Sequence, residues 1–373
     1  MSQVNEYLSK HKDYFLDASF RRILAGGIML LMFACTSGPG SQYRSKPKAL
    51  GVANQITVIC EDKLWEGQVG DSLSYYLESV YPVLPRPEPL FDVRHFTAFE
   101  IQVEELRREL RTYLICVNTR DTSSRTYKLV EKHLGAEALD VDTAKLKRIR
   151  DKWATDQLVL YFLAPGEDAL ANAVSAYFPK ISEQVREHDL KQIKAKTYLQ
   201  KENREAIKTI EDKLGVHMRI PGDYIIAVEE DSLIWLRKDY EDITVNLMLQ
   251  LLDYNSQEQF SRAYMKKIRD AFGLQYVSSS SDGSYMRIND EDLPMYVFKR
   301  EINGHYTLEA RGIWEMENDF MGGPFVSYLI HLKERDALLF VDGFVLAPGH
   351  KKKEIMQQLE VIVGTLGKKS DKQ

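Results

Sequence analysis

Apolar residues fall in short runs separated by polar turns along most of the chain, a pattern that predicts many strands and few long helices. Ile56-Thr57-Val58-Ile59-Cys60 and Gln157 to Ala164 (Gln-Leu-Val-Leu-Tyr-Phe-Leu-Ala) read as buried strands. In the first half the pattern predicts strands at 55–60, 91–96, 112–117 and 157–164. Helices are expected at 62–81, 99–110, 126–134, 142–152 and 167–178. Pro82 to Pro89, with four prolines, must be extended. In the second half strands are expected at 216–220, 223–229, 232–238 and 243–252, then a helix at 256–272. A β-rich run follows at 285–289, 294–302, 305–316, 325–333 and 336–347, and a helix at 350–366 closes the chain. Strands alternating with helices, some joined as hairpins, predict an α+β architecture with helices on one sheet face. A split βαβ, ferredoxin-like unit in each half is the simplest arrangement.

Lys180 to Lys213 contains neither Pro nor Gly, so a helix of about 51 Å would fit there at 1.5 Å per residue. Its apolar stripe (Ile181, Val185, Ile193, Leu199, Ile207, Ile210, Leu214) is thin and lacks a sustained heptad. A half-solvated connector fits this better than a dimerising helix. Leu163-Ala164-Pro165-Gly166 recurs as Leu346-Ala347-Pro348-Gly349, each time between a predicted strand and a predicted helix. The recurrence predicts a diverged duplication. The expected organisation is a signal peptide at 1–34, a flexible tether at 35–50 and a first half at 51–179. A connecting helix at 180–214, a second half at 215–366 and a disordered tail at 367–373 complete it.

The longest apolar run, Ile23 to Ala34, has twelve residues, against roughly twenty for a membrane-spanning helix. Arg21 and Arg22 precede it and Cys35 follows, then Thr36-Ser37-Gly38-Pro39-Gly40. This order resembles a bacterial lipoprotein signal, in which the Cys takes palmitate-type acyl chains and becomes the new N-terminus. Acylation would anchor the chain to the membrane without spanning it. Met32 and Phe33 depart from the usual residues before the Cys, and the segment before Arg21 is long for a charged leader. An upstream start codon would account for that length. No acidic run follows Cys35, so the expected location is the cell envelope, on the outer membrane facing the periplasm.

Lys and Arg total 50 against 55 Asp and Glu, for a net charge of −5 and a pI near 6.0. That balance argues against nucleic acid as a partner. Three Cys exclude a disulfide-dense scaffold. No phosphate-binding glycine loop and no nucleophile elbow occur. The eight His do not pair at the i, i+4 spacing of a helical zinc site. His305 and His331 fall in the β-rich region and would meet only through the fold. Asn289-Asp290-Glu291-Asp292 lacks the alternation of a calcium loop and reads as a solvated turn. No catalytic residue, metal or cofactor is therefore implied.

Two features remain. Cys60 and Cys116 end two strands that neighbour each other in a split βαβ sheet, and export would place them in an oxidising compartment. A disulfide and a pair of small buried hydrophobes are both open readings. The second feature is the segment Gly312 to Phe325. It sets Trp314, Phe320, Met321 and Phe325 beside Asn318 and Asp319, with Gly322-Gly323-Pro324 as a tight turn. It is either a recognition loop or a cap on the core.

Three strings carry a resemblance: Asn318 to Phe325 (Asn-Asp-Phe-Met-Gly-Gly-Pro-Phe), Asp342 to Gly349 (Asp-Gly-Phe-Val-Leu-Ala-Pro-Gly) and Arg148 to Ala154 (Arg-Ile-Arg-Asp-Lys-Trp-Ala). Over roughly residues 35–366 the chain resembles an uncharacterised family of bacterial envelope lipoproteins, the domain of unknown function number four-eight-three-seven. The resemblance implies envelope anchoring and supplies no catalytic residues. The expected role is binding without catalysis, in envelope assembly or maintenance, toward an envelope protein or a small apolar ligand. An envelope hydrolase is the alternative.

Overall fold

The computed structural model describes residues 45–368. The expected signal peptide and Cys35 lie outside the described residues. From Pro47 onward the chain forms one unit.

Five strands build the first sheet: β1 (Gln55–Ile59), β2 (Asp92–Phe96), β3 (Thr112–Asn118), β4 (Lys145–Arg150) and β5 (Leu158–Ala164). Their spatial order is β2-β1-β3-β5-β4. All pairings are parallel except that of β4 with β5. Helices α1 (Asp62–Trp65), α2 (Gln68–Leu77), α3 (Ala98–Val103), α4 (Arg125–Leu134) and α5 (Glu167–Thr197) form the connections. Side chains alternate across the sheet as strand geometry requires. Leu114 and Cys116 enter one apolar layer, with Leu73 of α2 and Val174 of α5. Ile115 and Val117 enter the opposite layer, with Ile101 of α3 and Val130 of α4. Burial on both faces explains the near-continuous apolar run of β5.

This is an open α/β sheet, so the split βαβ expected for the first half is replaced by doubly wound order. The adjacency of β1 and β3 holds in either topology. The helix expected at 142–152 is instead β4, a sheet edge. The basic run Lys145-Leu-Lys-Arg-Ile-Arg150 favours a helix by propensity, but pairing to β5 decides the outcome, and its cations guard the free edge. The tether is also partly fixed. Ala49 donates to the Thr155 carbonyl at 2.9 Å and Leu50 to that of Glu109 at 2.7 Å.

Helix α5 runs for 31 residues, straight through Pro179, and ends at Thr197. A new helix, α6 (Arg204–Leu214), starts where the Asn203 side chain accepts the Ala206 N–H at 3.0 Å. It stops at Gly215, whose φ of 65° suits glycine. The connector expected at 180–214 is thus the end of one helix, a break and a second helix.

After the short strand β6 (Val216–His217), the second sheet comprises β7 (Ile225–Glu229), β8 (Leu233–Tyr240), β9 (Ile243–Asp253), β10 (Tyr285–Asn289), β11 (Tyr296–Ile302), β12 (His305–Glu317), β13 (Gly322–Leu332) and β14 (Ala337–Leu346). It is antiparallel, in the order β10-β12-β13-β14-β9-β8-β7, with β11 also on β12. Helix α7 (Arg262–Tyr276) covers one face. Helices α6 and α8 (Lys353–Val363) cover the other, so helices lie on both faces and not one. Gly367–Lys368, expected within a disordered tail, pairs with β6 as β15. The two Leu-Ala-Pro-Gly turns sit in unlike surroundings. One leaves β5, which pairs parallel with β3 and antiparallel with β4, and the other leaves β14, antiparallel to both β13 and β9. The tetrapeptide therefore does not mark two superposable halves.

Polar contacts join loops of the first part to helix α8 of the second. Glu88, in the Pro-rich loop, accepts the backbone N–H of Lys352 at 2.6 Å and of Lys353 at 3.2 Å at the start of α8. Asn54 and Gln357 exchange two side-chain hydrogen bonds of 2.8 and 3.0 Å.

Candidate binding site

In a doubly wound sheet the connections on either side of the central strand depart in opposite directions, and a crevice opens at the carboxyl ends of the strands. Here that switch lies between β1 and β3. Cys60 to Lys63 follow β1, Thr119 to Ser124 follow Asn118 at the end of β3, and Pro165 to Glu167 follow β5. The residues between Asn118 and Ser124 are small or polar because the turn must satisfy its own backbone. Asn118 Oδ1 accepts the Arg120 N–H at 3.0 Å, and Ser123 Oγ donates to Asp121 at 2.7 Å.

Two hollows border this loop. One, of about 100 Å³, is lined by Glu61, Lys63, Asn118, Asp121, Glu167 and Cys116. The other, of about 380 Å³, is lined by Thr119, Arg120, Tyr127, Asp140 and Asp142. The first turn of α4 points its donors here, a position that commonly holds phosphate. Glu61 already fills that position, accepting both the N–H and the hydroxyl of Thr126 at 2.9 Å. Acidic side chains outnumber basic ones around both hollows, so the edge repels anions and suits neutral or cationic polar groups. Nearby, His95 stacks on Trp65 with ring centroids 4.8 Å apart, and its Nε2 lies 3.1 Å from the Cys60 carbonyl.

Cys60 and Cys116 are free and buried, which answers to the second of the two open readings, a pair of small hydrophobes. Extending the β1–β3 register one residue past Ile59–Ile115 sets them side by side in the apolar layer. There they pack as small hydrophobes. Burial, then the charges of Glu61 and Asp62, pushes the Cys60 thiol up to about 12. Burial raises the Cys116 thiol well above its ordinary value. Neither is a thiolate near neutral pH, so neither is a ready nucleophile.

The segment singled out in the sequence is divided by the structure. Trp314 on β12 and Phe325 on β13 are buried. Gly322 and Gly323 are strand residues, paired with Glu315 and Trp314. A side chain at Gly323 would strike the Val345 carbonyl, which is why glycine stands there. Only Asn318 to Met321 form the hairpin tip. Asn318 takes the left-handed conformation at φ 59°, and Asp319 accepts the Phe320 N–H at 2.7 Å. Met321 packs beside the core, whereas Phe320 is fully exposed. His305 Nδ1 lies 3.1 Å from the His331 carbonyl, a contact within the sheet. Among the described residues no group of three or more His, Cys, Asp or Glu is placed to hold a metal ion. None of their helices is long and apolar enough to cross a membrane.

Sequence reasoning missed the β1–β3 edge. Its one signal was a buried strand, Thr112 to Val117, running into the polar stretch Asn118 to Ser124.

Fold and site together define a two-part α/β and α+β protein with a polar crevice at the switch of its parallel sheet. Residues 202–365 match the family described as Domain of unknown function (DUF4837), as the strings at 318–325 and 342–349 suggested. Residues 49–198 match a different family, Domain of unknown function (DUF8532), so the string at 148–154 falls within that second domain. No curated protein matches. Among solved structures, the Saccharomyces cerevisiae Ran-binding protein Mog1p is similar at 10% identity and a TM-score of 0.27. That match covers 41% of this chain and 89% of that one. A mutant of protein Mog1 is similar at 11% identity and the same TM-score, covering 41% and 90%.

Proposed function

We propose that this chain is an acyl-anchored protein of the bacterial cell envelope that binds a partner and catalyses no reaction. Cys35 would hold it on the outer membrane, facing the periplasm. The order Arg21-Arg22, Ile23 to Ala34, Cys35 supports the anchor. The observation that carries the binding role is the hollow of about 380 Å³ at the carboxyl edge of the first sheet. The hollow opens past the ends of β3 and β5, beside the switch and on the side of an open sheet where ligands commonly bind. Its partner would present a neutral or cationic polar group, either a small molecule or a side chain of an envelope protein.

One observation favours the hydrolase alternative: Glu61, Asp121 and Glu167 line one cavity, and paired carboxylates serve glycoside hydrolysis. Against it, that cavity is only about 100 Å³, and Glu61 is committed to Thr126. A photo-crosslinking amino acid at position 120, introduced in intact cells, tests the binding reading. A defined adduct from position 120, absent from the exposed control position 75, supports it. Equal background labelling from both positions refutes it.

A further inference from the structure

We propose that the outer side of Ala98 to Glu109, with Leu50 beside it, rests on the bilayer that carries the acyl anchor; this deepens the anchored reading above and depends on it. Phe99 and Val103 stand one turn apart on α3, and Leu106 follows in the 3-10 turn Glu105–Glu109, after an extended break at Glu104. They are 48, 57 and 70% exposed, while Ala98 and Ile101 on the opposite side are buried. The local charges are drawn aside from these side chains. Arg107 binds Glu100 at 2.5 Å and Glu104 at 2.6 Å, and Arg125 lies over the Phe99 ring at 4.5 Å. Exposed apolar side chains beside charges that are partly paired off suit a lipid surface, with the exposed Glu105 left at its edge.

The place where the chain joins this unit selects the occupant. Leu50, itself 49% exposed, is bonded through its N–H to Glu109, at the end of the same segment. Eleven residues separate Cys35 from Pro47. Whatever their conformation, they span at most about 40 Å. An acyl chain on Cys35 therefore keeps this edge within reach of the membrane. Lys48, exposed beside Leu50, adds a cation on the approach, which favours anionic headgroups.

The test uses the full, processed protein in vesicles of phosphatidylethanolamine and phosphatidylglycerol. An environment-sensitive fluorophore is attached to Leu106→Cys, to Val103→Cys and to the control Tyr75→Cys. Tyr75 is exposed on α2, and the native Cys60 and Cys116 are buried. The intact mass of the purified wild type first decides whether the anchor exists. Shielding of positions 103 and 106 from aqueous iodide, with position 75 fully quenched, is the expected result. Equal quenching at all three overturns the contact face while leaving the anchor intact. If the mass shows no acyl group, the anchored reading and this inference both fall.

Discussion

Replacing Asp342 by Leu should destabilise the second sheet by about 3–5 kcal/mol, the usual cost of stranding one partner of a buried ion pair. Asp342 and Arg269 are both fully buried, with Nε and Oδ1 3.0 Å apart. Arg269 also lies over the Phe325 ring at 3.7 Å, and burial lowers its pKa. Ser327 Oγ donates to the same Asp342 oxygen. Removing the carboxylate leaves a guanidinium in an apolar layer without its counter-ion. The pair is itself incompletely satisfied, since Arg269 Nη1 and Asp342 Oδ2 lack hydrogen-bond partners. An apolar replacement of both residues should therefore recover most of the loss, with Arg269→Met plus Asp342→Leu within about 1–2 kcal/mol of wild type. Urea unfolding followed by tryptophan fluorescence measures this, with the slope compared between variants. A single variant within about 1 kcal/mol of wild type, or a double variant as unstable as the sum of the singles, refutes the reasoning. The result also bears on the Asp342-Gly343-Phe344 string. Each residue there has a packing role. Gly343 makes room for Leu359, and Phe344 meets Trp235, Phe272 and Trp314.

Phe320→Ala should leave the thermal midpoint unchanged, within about 0.5 kcal/mol, because the ring buries nothing; a large drop would mean the tip packs on the body. Burial holds the His133 imidazole down at about 4, so the unfolded chain takes up a proton between roughly pH 6.5 and 4 that the folded chain refuses. The His133 contribution is thus present above pH 6.5 and lost toward pH 4. Urea midpoints at pH 7 and 5 should fall further for wild type than for His133→Gln, and parallel falls would contradict the assignment. Glu61→Ala should cost about 1–2 kcal/mol by freeing the Thr126 donors. It should also let phosphate raise the thermal midpoint, an effect absent from wild type; no phosphate effect in either protein would show that the first turn of α4 is not an anion position.

Most strands were readable, β3 and β5 as continuous apolar runs because both their faces are buried, and others such as Tyr285–Asn289 because one side packs on a core. The errors arose where a distant partner decides. Lys145 to Arg150 becomes a strand only through β5, and Pro179 is carried inside α5 by the packing of residues on either side, such as Val174 and Ile181. Sheet topology was not legible, because a parallel and a split βαβ order both set β1 beside β3. The candidate site was missed because its parts lie on three separate loops with no motif. The conspicuous Trp314 and Phe325 are core residues. Arg269 gave no signal at all, since an arginine on a helix reads as solvated until its burial is seen.

The central claim is an envelope-anchored binding protein, and the anchor on Cys35 is its most direct test. Cells expressing wild type or Cys35→Ser are fed an alkyne-tagged fatty acid, and the purified chains are assayed for label. The account predicts label on wild type, none on the variant, and loss of any exported variant from the membrane fraction. Equal label on both chains, or none on either, would contradict it.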